Sequence, residues 1–271
     1  MLLSTDPQAA ALRYDKRLVA HKFSKAAAGY LNHAALQQQT GEALLGQLPI
    51  RSYQAGVDIG CGPGPFTEAL KQRCDTYIGI DLAPQMLLEA KRSHHNGLFC
   101  RGDMEQLPFA SESFDLMFAN LSLQWANQPA NLFHELARVS AANGVLAFTV
   151  VLPNSMQPLA RIVQALDGQP RANRQATLTQ YHDWLSEAGW QITFSAPRPL
   201  TTRHRDCRGL LDSVKGVGAS LSEYPKQGLR GRSWYQKLEQ ALLQHRDVDE
   251  NLVLHWNIGI VIAVKAKIGV L

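Results

Sequence analysis

Residues 57–65 read Val-Asp-Ile-Gly-Cys-Gly-Pro-Gly-Pro, and this stretch decides the fold of the chain. The apolar run 55–59 leads into it and predicts a short buried strand. Glycines at positions 60, 62 and 64 let the backbone pass tightly under a ligand, because glycine tolerates positive φ angles. Residues 66–73 have a helical pattern, and a helix presents free N–H groups at its start. The stretch therefore predicts a ligand-binding unit of strand, turn and helix.

The spacing of these glycines excludes one common ligand of such turns. Dinucleotide-binding turns have the pattern G-x-G-x-x-G. Here the third glycine would fall at Pro65, so that pattern fails. Asp58 precedes the first glycine, and the motif reads D-x-G-x-G-x-G instead.

Polar side chains follow the next three predicted strands. Asp81 ends the second strand, 21 positions after Gly60, where a carboxylate can accept hydrogen bonds from both hydroxyls of a ribose. Asp103 follows the third strand and Asn120 follows the fourth. Carboxylates at consecutive strand ends suit a cationic ligand with free hydroxyls and would repel a pyrophosphate. The alternative is that each residue is only a helix N-cap or a turn residue.

Strands and helices alternate between residues 55 and 152. Strands are predicted at 55–59, 76–80, 98–101, 114–119 and 144–152, and helices at 66–73, 84–93 and 131–139. This order indicates an α/β fold with a mostly parallel sheet and helices on both faces. Outside this region, helices are predicted within 15–48 and at 178–188, 206–214 and 233–245, and strands at 190–194 and 252–265.

We expect residues 1–271 to form one domain of three parts. Residues 1–50 are predicted to form a helical cap, 51–152 a cofactor-binding half and 153–271 a substrate-side half. A helical insertion at about 200–250 is expected before the last strand.

Composition limits the class of protein. Hydrophobic residues make up 45% of the chain and charged residues 18%, which supports a packed core. No apolar run approaches the roughly 20 residues of a membrane helix, and the N-terminus has no signal-peptide pattern. The four cysteines form no C-x-x-C pair, which argues against a zinc site or a disulfide framework. We expect a cytoplasmic protein with no membrane partner and no metal.

Basic residues concentrate in one part of the chain. The net charge of +4 is too small to indicate a nucleic-acid partner by itself. Between Arg203 and Arg232, however, seven basic residues stand against three acidic ones, and we call these residues the basic stretch. The basic stretch is either a solvated face or a docking surface for an acidic partner.

Five segments resemble the malonyl-[acyl-carrier protein] O-methyltransferases of biotin synthesis (BioC), a family of class I methyltransferases. The resemblance runs over nearly the whole chain and rests on Phe23–Tyr30, Val57–Gly64, Asn120–Trp125, Pro170–Arg174 and Ser213–Ala219. The last two segments carry most weight because they lie outside the generic cofactor fold. Pro65 and Arg171 depart from the family pattern, which commonly has a bulkier residue and a histidine there.

The resemblance implies a Rossmann-like fold with a seven-stranded sheet, and S-adenosylmethionine as the methyl donor, leaving S-adenosylhomocysteine. It implies a malonyl thioester on acyl carrier protein as the substrate, with malonyl-CoA also possible and no nucleic acid. The methyl ester hides a charge, so that fatty acid synthesis can extend the group toward pimeloyl, a biotin precursor. The cofactor residues expected from motif and resemblance are Tyr30, Asp58, Gly60, Gly62, Gly64, Asp81, Leu82, Asp103, Met104 and Asn120.

Methylation of a carboxylate needs no general base, because the carboxyl group is already an anion about 3 pH units above its pKa. We therefore expect no catalytic base, only a group that orients the carboxylate. The candidates for this group are Lys215, Arg174 and Arg171.

Two other functions stay open from the sequence. One is methylation of a free small-molecule carboxylic acid. The other is a cofactor-binding scaffold that has lost its chemistry.

Overall fold

The structure, a computed structural model, describes residues 14–168, 175–217 and 231–266. The helices are α1 (Lys16–Ala26), α2 (Tyr30–His33), α3 (Ala35–Gln47), α4 (Thr67–Lys71), α5 (Pro84–Ser93), α6 (Pro129–Val139), α7 (Leu159–Asp167), α8 (Leu178–Glu187), α9 (Cys207–Lys215) and α10 (Arg232–Leu243). The strands are β1 (Tyr53–Ile59), β2 (Cys74–Asp81), β3 (Leu98–Arg101), β4 (Phe114–Asn120), β5 (Ser140–Val151), β6 (Trp190–His204) and β7 (Leu252–Lys265).

One seven-stranded sheet has the order β3-β2-β1-β4-β5-β7-β6. The first five strands are parallel, and β7 runs antiparallel to both β5 and β6. The predicted α/β fold with a mostly parallel sheet is confirmed. The chain reverses its direction of winding between β1 and β4, which opens a crevice at the carboxyl ends of these strands.

Alternating residues of β4 explain why helices cover both faces of the sheet. Met117 belongs to a core that contains residues of α6 and α8, whereas Leu116 and Phe118 belong to a core that contains residues of α3 and α4. Successive side chains of a strand point to opposite faces, so a strand with apolar residues at every position must be covered on both sides. These two cores hold the strand ends in fixed positions around the crevice.

The substrate-side half differs from the prediction in two elements. β6 extends ten residues beyond the predicted end at Phe194, because it pairs with β7 as far as His204. Its prolines at 197 and 199 are tolerated because β6 is an edge strand, where a missing N–H breaks no ladder. Helix α7 was not predicted from the sequence.

Helices α9 and α10 lie between β6 and β7, which confirms the predicted helical insertion, although its first helix begins at Cys207. Apolar residues of α7, α9, α10 and the start of β7 form a separate core. The division of the chain into cap and two halves stays a prediction.

Candidate cofactor site

A cavity of about 800 Å³ opens at the carboxyl ends of β1, β2 and β4, next to the loop after β3. Eight of the ten predicted cofactor residues line it: Tyr30, Gly60, Gly62, Asp81, Leu82, Asp103, Met104 and Asn120. The structure therefore brings together residues that are spread over 91 positions of the sequence, from 30 to 120.

The glycine turn has the backbone shape that its sequence predicts. Gly60, Gly62 and Gly64 have φ angles of 73°, 56° and 79°. A Cβ on Gly60 would lie 2.5 Å from the Cβ of Ser122, so a side chain there would clash with the loop after β4. A Cβ on Gly62 would meet no atom within 4 Å, and Gly62 lines the cavity. The turn thus leaves room for a ligand against its own backbone.

Asp58 and Gly64 support the turn from beneath and are not among the cavity-lining residues. The Asp58 carboxylate is buried and accepts a hydrogen bond of 3.3 Å from the hydroxyl of Tyr77. The pKa of Asp58 is raised to about 7, mainly by burial and also by the nearby Asp81, while the hydrogen bond from Tyr77 acts in the opposite direction. Gly64 approaches the side chains of Thr67 and His94 too closely for a Cβ.

Asp81 stands at the end of β2 with its carboxylate fixed by the backbone. One oxygen accepts a bond of 2.9 Å from Gly62 N–H, and the other accepts a bond of 2.7 Å from Ala83 N–H. Burial raises its pKa to about 6, although these N–H groups act in the opposite direction. Each oxygen keeps acceptor capacity, because a carboxylate has about four acceptor sites in total. The geometry suits acceptance of two neighbouring hydroxyl groups.

Asp103 is paired with a lysine that the sequence did not single out. Lys16 of α1 donates to Asp103 and also forms an ion pair with Glu105. Hydrogen bonds and charge from both carboxylates raise the pKa of Lys16, although desolvation is the largest single influence and lowers it. The pair ties α1 to the loop after β3.

Asn120 lines the cavity, but its amide group is engaged by the protein. Its Oδ1 accepts bonds from the hydroxyls of Thr40 (2.8 Å) and Thr149 (2.7 Å), and its Nδ2 donates to the carbonyl oxygen of Gln37 (2.8 Å). The side chain therefore joins α3, β4 and β5. Its role as a cofactor residue stays a prediction, and this geometry favours a contact through the backbone.

Aromatic side chains close the cavity on the side of α1. Tyr30 lines it, and burial raises the pKa of its hydroxyl well above the ordinary value. Trp125 packs edge-on against Phe23 at 5.6 Å and tilted against Tyr14 at 5.1 Å. Tyr30 and Trp125 both line the cavity, and the role of Tyr30 as a cofactor residue stays a prediction. A cover of this kind limits the access of water.

Sequence reasoning missed Lys16, Phe23, Ser122 and Tyr77 as parts of the site. Positions 16, 19, 20 and 23 recur at spacings of three and four, so Lys16 and Phe23 share a helical face with Val19 and Ala20. This periodicity could have indicated the inner face of the helix. Ser122 donates to the carbonyl oxygen of Ile59 at 2.6 Å, a contact between the loop after β4 and the last residue of β1 that no local pattern indicates.

Of the three residues predicted to orient the substrate carboxylate, only Lys215 lies within the described part of the chain. Lys215 is the exposed last residue of α9 and does not line the cavity, while the following Gly216 packs against His33 of α2. Arg171 and Arg174 lie outside the described residues, as do all of Pro170–Arg174 and the last two residues of Ser213–Ala219.

Within the described ranges, no helix is long and apolar enough to cross a membrane. The same part of the chain contains no group of three or more His, Cys, Asp or Glu residues that could hold a metal ion.

Known proteins are similar to this chain in sequence and in fold. The family described as "Methyltransferase domain" matches residues 57–148. Malonyl-[acyl-carrier protein] O-methyltransferase of Enterobacter lignolyticus is 34% identical and covers 84% of this chain and 90% of its own length. Biotin biosynthesis bifunctional protein BioHC of Cellvibrio japonicus is 35% identical over 86% of this chain and 47% of its own length. The crystal structure of YcgJ from Bacillus subtilis is 15% identical, with a TM-score of 0.60, and covers 85% of this chain and 99% of that one.

The sheet order, the glycine turn and the acids at the strand ends define a class I methyltransferase. Because the Enterobacter relative matches at 34% identity over most of both chains, the particular family also follows. This chain belongs to the malonyl-[acyl-carrier protein] O-methyltransferases.

Proposed function

We propose that this enzyme transfers a methyl group from S-adenosylmethionine to the free carboxylate of a malonyl thioester on acyl carrier protein. The product would be the methyl ester that primes synthesis of pimeloyl, a precursor of biotin. The observation that carries the proposal is the match to enzymes named for this activity over most of the chain, including the insertion side that the generic cofactor fold lacks. The bifunctional relative connects the same chain to biotin biosynthesis by its name.

The cavity walls fit S-adenosylmethionine. Gly62 leaves its backbone open to the cavity, Asp81 offers two fixed oxygens for ribose hydroxyls, and Asp103 offers a carboxylate for the adenine amino group. Asp81 also favours a cationic ligand electrostatically, whereas the charge of Asp103 is offset by its ion pair with Lys16. When bound, S-adenosylmethionine supplies an electrophilic methyl group on a sulfonium.

The protein's remaining task is to position the carboxylate and exclude water. No histidine stands among the described residues that line the cavity, and the Asp103 carboxylate is paired with Lys16. A carboxylate nucleophile needs no proton removed, so a site without a free base suffices. The cover formed by Phe23, Tyr30 and Trp125 lowers the local dielectric, which favours a step that neutralises charge.

One cation beside the distal carboxylate oxygen would orient the group without overstabilising the ground state. We retain Lys215, Arg174 and Arg171 as the candidates for this cation. Lys215 is the last residue of α9, and the next residue, Gly216, packs against His33 of α2, three residues after the cavity-lining Tyr30, which supports a place for Lys215 at the rim.

We propose that the protein works in the cytoplasm. All four cysteines are free and none is paired in a disulfide, which fits a reducing compartment.

The proposal is tested by transfer of a labelled methyl group to carrier protein loaded with malonyl, succinyl or acetyl groups. We expect label on malonyl carrier protein and none on acetyl carrier protein, which lacks the free carboxylate. Equal labelling of the malonyl and acetyl forms would refute carboxyl methylation. Faster labelling of free malonate than of the carrier form would favour a small-molecule methyltransferase instead.

A further inference from the structure

Helix α1 separates the cofactor cavity from solvent by a single layer. Its inner face, formed by Lys16, Val19, Ala20 and Phe23, lines the cavity. These residues recur at spacings of three and four, so they form one stripe of the helix.

The opposite face of α1 is exposed and carries only positive charge. Arg17, Leu18 and Lys25 are exposed, Lys22 is half-buried, and α1 contains no acidic residue. We call these four residues the docking face. Arg17, Lys22 and Lys25 form no ion pair with any residue that the structure describes. Leu18 keeps 43% of its surface exposed among them, so the face combines an apolar centre with a basic rim.

Two arginines of the basic stretch already form ion pairs within the described residues. Arg203 pairs with Asp247 at 2.8 Å, and Arg208 pairs with Asp212 at 3.7 Å. Charges that are already paired contribute less to the attraction of a partner. The three cations of the docking face, in contrast, are all unpaired within the described residues and lie on one helix, so their attraction for an acidic macromolecule is concentrated at one place.

The position of the docking face relative to the cavity is a second reason to expect a partner there. An α-helix with its side chains is about 10–12 Å across, so a partner on the docking face would stand one helix diameter from the cavity. A thioester on a flexible prosthetic arm could pass the edge of α1 and reach the cavity from there. A partner that presents its substrate on such an arm is a carrier protein.

We infer that the docking face of α1 binds the acidic surface of the carrier protein, an inference that rests on the proposed function. Charge attraction from Arg17, Lys22 and Lys25 speeds association, and Leu18 packs against an apolar residue of the partner. Because Lys16 and Phe23 of the same helix close the cavity, the docked carrier also holds the cover in place.

The test compares two malonyl thioesters in the double variant Arg17→Glu/Lys25→Glu. One substrate is malonyl carrier protein, and the other is the malonyl thioester of N-acetylcysteamine, which has no protein surface and no phosphate. We expect the ratio of the two KM values, carrier over small thioester, to rise about tenfold, because each reversal turns an attraction into a repulsion. If the charge-reversed variant does not fold, the variant Arg17→Gln/Lys25→Gln replaces it, and we expect its KM ratio to rise about threefold.

The matched control is Arg51→Glu/Arg73→Glu, which reverses two charges immediately before β1 and β2, at the edge of the sheet opposite the cavity. Its KM ratio should equal that of the wild type. An unchanged ratio in both α1 pairs would overturn the docking inference while leaving the proposed function intact. Failure of the wild type to methylate either malonyl thioester would instead refute the proposed function itself. Weaker RNA binding by the α1 pairs with an unchanged KM ratio would reassign the face to nucleic acid.

Discussion

Asp81 shows how a residue predicted from spacing acquires a defined geometry. Its position after β2 followed from the sequence, whereas its two backbone partners, Gly62 and Ala83, required the folded turn. The bond to Gly62 links the acid directly to the glycine turn. One carboxylate thus shapes the loop and faces the cavity at the same time.

We predict that Asp81→Asn weakens binding of S-adenosylmethionine by about 10- to 100-fold, because bonds from hydroxyls to a charged acceptor are lost. Isothermal titration calorimetry measures this directly. The control is Asp75→Asn, an exposed carboxylate near the other end of the same strand. Equal affinity of Asp81→Asn and Asp75→Asn for S-adenosylmethionine would show that Asp81 does not bind the cofactor.

Asp58 gives a prediction on stability. Its pKa is about 7 in the folded protein against an ordinary value of 3.8, so folding keeps a proton on this group that the unfolded chain releases. The contribution of Asp58 to the free energy of unfolding is therefore complete below about pH 4. It falls by about 4 kcal/mol in total as the pH rises toward 7. Asp58→Asn should lack this contribution and keep only the smaller fall caused by Asp81, whose pKa is also raised by burial.

Urea unfolding of the cofactor-free protein at several values between about pH 5 and pH 8 measures the difference. Asp75→Asn, whose side chain is exposed, should retain the wild-type dependence. The same pH dependence in Asp58→Asn and the wild type would show that folding does not raise the pKa of Asp58.

At the scale of elements, α1 is attached to the rim of the cavity at several points. Asn127 donates from Nδ2 to the carbonyl oxygen of Tyr14 at 3.0 Å and accepts from the Tyr14 N–H. Lys16 adds the ion pairs to Asp103 and Glu105, and Phe23 packs on Trp125. These contacts hold the helix over the cofactor without a covalent link.

We predict that Asn127→Ala loosens this cover. Loss of both bonds to Tyr14 removes about 1–3 kcal/mol of local stability, so amide hydrogens of α1 should exchange faster than in the wild type. Hydrogen-exchange mass spectrometry of peptides from α1 measures the change, with α6 as the internal reference. Unchanged exchange in α1 would mean that Asn127 does not hold the helix.

The sequence predicted helices in the region of α1 but not their place over the cavity. Apolar periodicity indicates that a helix has a buried face, yet it does not say what lies beneath that face. Contacts such as Lys16 with Asp103 join residues 87 positions apart and depend on the path of the whole chain. For the same reason the long pairing of β6 with β7 could not be read from 190–194 alone.

At the scale of the whole molecule, the cofactor half was largely predictable because its ligands stand at strand ends. Parallel strands bring these ends to one edge of a sheet, so Gly60, Asp81, Asp103 and Asn120 had to converge once the alternation of strands and helices was recognised. The substrate side has no such rule. Lys215 stands at the end of α9 in the insertion, where its position depends on tertiary packing, and it does not line the cavity.

The central claim is that the site methylates a carboxylate oxygen and therefore needs no base. A malonyl thioester offers a second position, its central carbon, which can be methylated only after a base removes a proton. NMR of malonyl carrier protein treated with S-adenosylmethionine labelled with ¹³C in the methyl group distinguishes the two products. We predict a single new signal of an O-methyl ester, with both protons of the central carbon retained. A ¹³C-methyl signal coupled to the central carbon would contradict the claim.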